Sequence, residues 1–176
     1  MLTDYFIKKK IESIKKESER RPCRSLSLAE AHSLLILYCE EDHEAISKIL
    51  DSLRKKGKIV KTCVFIASKE ATITLGEFDI ALCAKRDLDM FGVPSAQIMK
   101  RIEEERADIL INLAQPKCKS MRYVALAHPC SFKVGLKHVE EDCYDMGLIA
   151  NDQDDIAYLF EQLLSYLRSI HSPATV

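Results

Sequence analysis

The sequence predicts an α/β fold: a three-layer sandwich, Rossmann- or flavodoxin-like, with a mostly parallel sheet of about five to six strands and a charged N-terminal helix. Three observations predict it. Short continuous apolar runs such as SLLILYC (33–39) have the composition of strands covered on both faces. Between them lie segments whose apolar residues recur at helical spacing. Their strict alternation is that of a parallel sheet with helices on both faces. A chain of 176 residues, 47% hydrophobic and 30% charged, suits one globular domain. At this length about 70% of the unfolded surface is buried on folding, so no disulfide or metal staple is needed.

Residues 2–20 predict a helix. Leu2, Ile7, Ile11 and Ile14 fall near one stripe, with Tyr5 and Phe6 beside it, and Pro22 stops it. The stripe must bury on the body, on a second subunit or on a membrane surface. SLLILYC is the first strand. HEAISKILDSLRKKG (43–57) is an amphipathic helix with Ala45, Ile46, Ile49, Leu50 and Leu53 inward and Gly57 as its C-cap. Strands follow at 58–67 and 77–85. The link between them (68–76) is too short for a helical crossover, so either ATITL pairs as an extra strand or one local pairing is antiparallel. SAQIMKRIEEERA (95–107) is a helix with Pro94 near its first turn, and DILINL (108–113) is the fourth strand. A short helix at 119–128, strands at 131–138 and 146–150, and a closing helix at 152–170 complete the order. In that last helix Ile156, Leu159, Phe160, Leu163, Leu164 and Leu167 face inward.

Net charge is −1, which gives no push towards nucleic acid. It is unevenly spread: residues 1–25 carry +4 and the remainder −5. The organisation expected is therefore a helical arm (1–24) ahead of a single α/β domain (25–176), with a homodimer through residues 1–20 as one use of the arm. Cys39, Cys63 and Cys83 lie in apolar runs, as free thiols of a reducing compartment do. No apolar stretch approaches the roughly 20 residues of a membrane span, and no apolar run follows the N-terminal lysines as in a signal peptide. A cytoplasmic protein is expected.

In an open α/β sheet a ligand binds beyond the carboxyl ends of the strands. After the first strand stands CEEDHE, whose acids suit a helix start but repel phosphate. The five glycines write neither a dinucleotide fingerprint nor a P-loop, so no nucleotide cofactor is expected. Lys85, Arg86, Lys117, Lys119 and Ser120 follow the third and fourth strands, with Lys137 and His138 after the fifth. AQPKCKS (114–120) ends at a helix entry, where free N–H groups favour an anion. Lys85, Arg86, Lys117, Lys119 and Ser120 are thus the anion-binding candidates. The competing reading is structural: Ser120 as N-cap, Pro116 setting the turn, the lysines solvated.

Cys118, between two lysines near a helix start, is the candidate reactive thiol. The phosphatase loop pattern fails, since Val124 stands six residues on. A Cys118–His128 pair and a zinc set of Cys118, His128, Cys130 and Cys143 are the remaining constellations, and the second lacks zinc-knuckle spacing. NDQDD (151–155) lacks the glycine and distal glutamate of a calcium loop and suits a capped helix start. No catalytic residue and no metal site are assigned.

KRDLDMFGVP (85–94), DILINL (108–113), FKVG (132–135), DMGLI (145–149) and YLRSI (166–170) together resemble an uncharacterised family of small bacterial α/β proteins carrying a domain-of-unknown-function label. That resemblance implies no activity. ADILINL to KVGL (107–136) is also similar to part of the N-terminal half of heptosyltransferase-type glycosyltransferases, which bind the nucleotide sugar with a second half absent from this chain. Two functions are carried forward. One is a non-catalytic binding or interaction module with an anion site at the carboxyl edge. The other is an enzyme or half-enzyme acting on a phosphate-bearing or nucleotide-sugar ligand.

Overall fold

The computed structural model describes residues 2–68, 73–139, 143–151 and 153–170. Six strands, β1 (Ser33–Cys39), β2 (Ile59–Ile66), β3 (Asp79–Cys83), β4 (Ile109–Asn112), β5 (Lys133–Lys137) and β6 (Met146–Ile149), form one sheet in the order β3-β2-β1-β4-β5-β6. All five pairings are parallel. The helices are α1 (Leu2–Ser18), α2 (His43–Lys55), a single turn α3 (Ala84–Asp87), α4 (Ala96–Glu104), α5 (Lys119–Ala127) and α6 (Ile156–Ser169).

Alternation along the strands divides the core. Leu34, Ile36 and Tyr38 of β1 face α2 and α6, while Leu35, Leu37 and Cys39 face α4 and α5. On the first face lie Ile46, Leu50 and Leu53 of α2 and all six residues expected inward in α6. Ala45 turns out to solvent and Ile49 is half-buried. The C-terminus of α2 explains Gly57. Its φ is +82°, and the Gly57 and Lys58 amides donate to Arg54 O at 2.9 Å and Leu53 O at 3.1 Å, closing the orphan carbonyls of the last turn. Asp155 caps α6, accepting from Tyr158 N at 3.0 Å, which accounts for the acidic start of that helix. Asp152, within the NDQDD stretch, lies outside the described residues.

The link after β2 departs from expectation. No antiparallel pairing occurs in the sheet, and Ile73 and Leu75 of ATITL belong to no strand; they pack on the α2–α6 core. Residues 71 and 72 lie outside the described residues. The reason is the register. Asp79 pairs with Thr62, so the link retraces only the last five residues of β2. That is about 17 Å, and a dozen extended residues reach much farther without a helix.

α1 lies outside the three layers, against α5. Ile7 and Ile11 are buried there with Val93 and Leu126, half-buried Ile14 and Phe91 beside them. Tyr5 and Phe6 remain exposed, Phe6 with its ring 4.7 Å from Phe91. The far end of α1 is tied down at the amino end of β5. Lys133 Nζ donates to Leu126 O (2.5 Å) and Ser18 Oγ (3.4 Å), and Arg21 pairs with Asp145 at 2.5 Å. Among the described residues no helix is long and apolar enough to cross a membrane.

Candidate functional site

The strand order reverses between β1 and β4, and the loops leaving their carboxyl ends part there. A crevice of about 330 Å³ opens at this point. Cys39 and Glu41 after β1, Phe65 and Ala67 of β2 and its exit, and Gln115 to Ser120 before and into α5 form its walls. Each wall has a local cause. Glu40 Oε1 accepts from the amides of Ala67 (3.0 Å) and Ser68 (2.9 Å), pinning the exit of β2 to that of β1. Asn112 accepts from Ala114 N at 3.1 Å and donates to Tyr144 Oη at 2.8 Å, turning the chain out of β4. A Cys118 N to Gln115 O bond of 2.8 Å closes the turn over Pro116, and the Arg122 guanidinium donates to Pro116 O.

Cys118 itself is the N-cap residue of α5. Ser120, expected as the cap, sits inside the helix and donates its hydroxyl to Gly92 O at 2.7 Å. Gly92, with φ +79°, belongs to a loop held by Asp89, whose Oδ1 accepts from Phe91 N and Val93 N. KRDLDMFGVP therefore contains a turn built around Asp89.

A second, larger groove of about 790 Å³ adjoins the first along the same edge. Its floor is Pro116 and Ile11. Lys8 and Lys15 of α1 face Lys117, Lys119, Arg122 and His138 across it, with Asp4 and Glu12 on the helix side. Lys119 Nζ lies 2.5 Å from Asp4 Oδ1 and holds that carboxyl below its usual value. The acidic residues 140–142, next in the chain after Val139, lie outside the described residues.

The five anion candidates therefore divide. Lys117, Lys119 and Ser120 stand together at the crevice. Lys85 and Arg86 do not join them: β3 is the edge strand, two strands from β1, and both side chains are exposed there. Arg86 turns back on Asp87 through two bonds of 2.9 Å. Lys8 and Lys15 were not legible as partners of Lys117, because only the docking of α1 brings them in.

After β1, burial, with Glu41 nearby, pushes Asp42 up to about 6. Glu40 serves the loop, while Glu41 and Asp42 put acidic side chains on that side, which does not favour phosphate there. Gln115 Oε1 is buried with no hydrogen-bond partner among the described residues. The two crevice thiols interact. Cys39 beside it holds Cys118 below the usual thiol value against the opposing effect of burial. Cys118 in turn, with burial, pushes Cys39 up.

The other constellations come apart. His128 is at the far end of α5 from Cys118, roughly 14 Å along a helix of this length. Its ring is buried, lowered to about 4 by desolvation. Among the described residues no group of three or more Cys, His, Asp or Glu side chains is placed to hold a metal ion. Asp108, at the head of β4, accepts from His32 N, Ser33 N and Ser33 Oγ. It fastens the amino edge of the sheet and is remote from the crevice.

No curated protein and no solved structure matches the chain. A family model does, over residues 3–170. The chain belongs to a family of unknown function, DUF6913.

Proposed function

We propose that this protein is a non-catalytic binding module that takes a small anionic ligand at the carboxyl edge of its sheet. The observation that carries the reading is the position of the crevice, at the reversal of strand order between β1 and β4 and beside Lys117 and Lys119. Lys119 already has a carboxylate partner in Asp4, but Asp4 is exposed and a surface ion pair of this kind is weak, so an incoming anion can displace it. Apolar walls from Phe65 and Ala67 suit a ligand with a carbon skeleton. No histidine lines the crevice among the described residues.

We read residues 1–24 as an arm on one α/β domain (25–176). A dimer through residues 1–20 would use Tyr5 and Phe6, large apolar side chains that α1 leaves exposed. The seven free thiols support a cytoplasmic setting.

The test is a thermal-shift screen against phosphate, sulfate, nucleotides and nucleotide sugars, with the Lys117→Ala/Lys119→Ala protein alongside. A ligand at 100 times its Kd adds about 2.7 kcal/mol, a shift of several degrees at this size. The shift is expected in the native protein and not in the double variant. A flat screen rejects the anion site. Consumption of a nucleotide sugar during incubation would replace the binding reading with that of an enzyme or half-enzyme.

A further inference from the structure

The thiol pair in the crevice is not used by a binding module. Cys39 ends β1 and is 4% exposed. Cys118 begins α5 and is half-buried, on the opposite wall of the same opening. Far apart in the chain, the two cysteines share this opening because β1 and β4 are neighbours and the loop after β4 folds back over the end of β1. We propose that Cys39 and Cys118 form a hydroperoxide-reactive dithiol, with Cys118 as the attacking sulfur and Cys39 as the sulfur that resolves it to a disulfide. The inference goes beyond the anion reading and does not depend on it.

The surroundings assign the two roles. A thiolate, not a thiol, attacks peroxide. Cys118 stands at the N-cap of α5 and is the less buried of the two, and the positive end of the helix and the Arg122 charge favour its thiolate. Cys39, buried beside it, keeps its proton. Cys23, Cys63 and Cys130 have no such support. Cys23 is exposed but pushed up, by desolvation first and then by Asp145, and Cys63 is buried and pushed up to about 12. The crevice opening admits a small peroxide to the inner sulfurs.

The chemistry balances. The Cys118 thiolate attacks the terminal oxygen of a hydroperoxide. The S–O bond forms, the O–O bond breaks, and the alkoxide takes a proton from water and leaves as the alcohol (as water for hydrogen peroxide). Cys118 is then a sulfenic acid. Cys39 sulfur attacks it, the S–S bond forms, and hydroxide leaves with the Cys39 proton as water. Two thiols have lost two electrons and one peroxide has gained them. A dithiol reductant returns the pair by exchange.

The experiment treats the reduced full-length protein with one equivalent of hydrogen peroxide and maps its peptides by mass spectrometry. A Cys39–Cys118 cross-link is expected, with a mass loss of two hydrogens. In Cys39→Ser, dimedone should trap a sulfenic acid at Cys118; in Cys118→Ser, neither the cross-link nor a dimedone adduct at Cys39 should form. Alkylation order in the unaltered protein supplies a readout that no variant can spoil by misfolding: iodoacetamide at neutral pH should modify Cys118 before the more exposed Cys23. Prior modification of Cys23, or first oxidation at Cys23 or Cys83 with no Cys39–Cys118 link, overturns the proposal.

Discussion

Gly135 shows how much a single residue can conceal. In the sequence it is a glycine inside a strand, in FKVG, with nothing to say why. In the structure a Cβ there would lie 2.9 Å from Tyr144 Cζ and 3.0 Å from Asn112 O. The ring that lies over the glycine is the one whose hydroxyl accepts from Asn112. Close packing of Tyr144 thus helps to shape the exit of β4, and with it the crevice. Tyr144 can move, but the Asn112 carbonyl is backbone and cannot. Gly135→Ala should cost about 1–3 kcal/mol, the usual range for overpacking a filled core. Urea unfolding would show it as a lower midpoint at unchanged slope, and an unchanged midpoint would mean that the site yields. Other residues were legible because their reasons are local. Gly57 after a basic helix end and Asp155 before an apolar run needed no tertiary knowledge. Gly135 did, because its reason arrives from nine residues further on and from the next strand.

At the scale of elements, periodicity was enough wherever an element buries itself on the sheet. α6 shows all six inward residues because its stripe is wide, and β1 shows as a strand because both its faces are covered. It fell short for α1. A narrow stripe announces burial but not the surface that receives it, so the facing of Lys8 and Lys15 towards Lys117 was beyond reach. The docking rests on few side chains. An isolated helix of this length is marginal in water, so α1 depends on Ile7 and Ile11 and on the ties at Lys133 and Asp145. Replacing both isoleucines with Asp should release it locally. Trypsin would then cut rapidly at the lysines of 8–16, while the main thermal transition, set by the sheet and α2, α4, α5 and α6, moves much less. Unchanged cleavage would show that α1 is held by something other than this stripe. Equal loss in both measurements would make it part of the cooperative core.

Strand order belongs to the whole molecule, and it is what the sequence withheld. Lys85 and Arg86 look as good as Lys117 and Lys119 in a linear reading, since each pair follows a strand; only the order β3-β2-β1-β4-β5-β6 sends one pair to the edge and leaves the other at the reversal. The same order joins Cys39 to Cys118. A cysteine closing the first strand and another in a later βα loop were visible signals, but they become a pair only once β1 and β4 are known to be neighbours. The global fold also buries two basic groups side by side under α1 and α5, with a consequence for stability. His128 is lowered to about 4, by desolvation and then by Lys133, and Lys133 to about 7, by desolvation and then by Arg21, with Asp145 and Cys130 opposing. Both native values lie below the ordinary ones near 6.5 and 10.5. The unfolded chain therefore binds more protons between pH 4 and 6.5 at His128, and between 7 and 10.5 at Lys133, and stability rises with pH through both windows. The His128 window is worth on the order of 3 kcal/mol, at about 1.4 kcal/mol for each unit of displacement. Asp42, raised to about 6, holds its proton longer in the native state and works the other way between 3.8 and 6, but it is only part-buried and offsets a fraction of this. Urea midpoints should therefore climb from pH 5 to pH 9. Lys133→Met keeps the volume, removes the buried amine and should flatten the climb above neutrality; because Lys133 also helps to lower His128, the acid limb should shorten but persist. A slope above pH 7 that survives the substitution would assign the alkaline window to some other group.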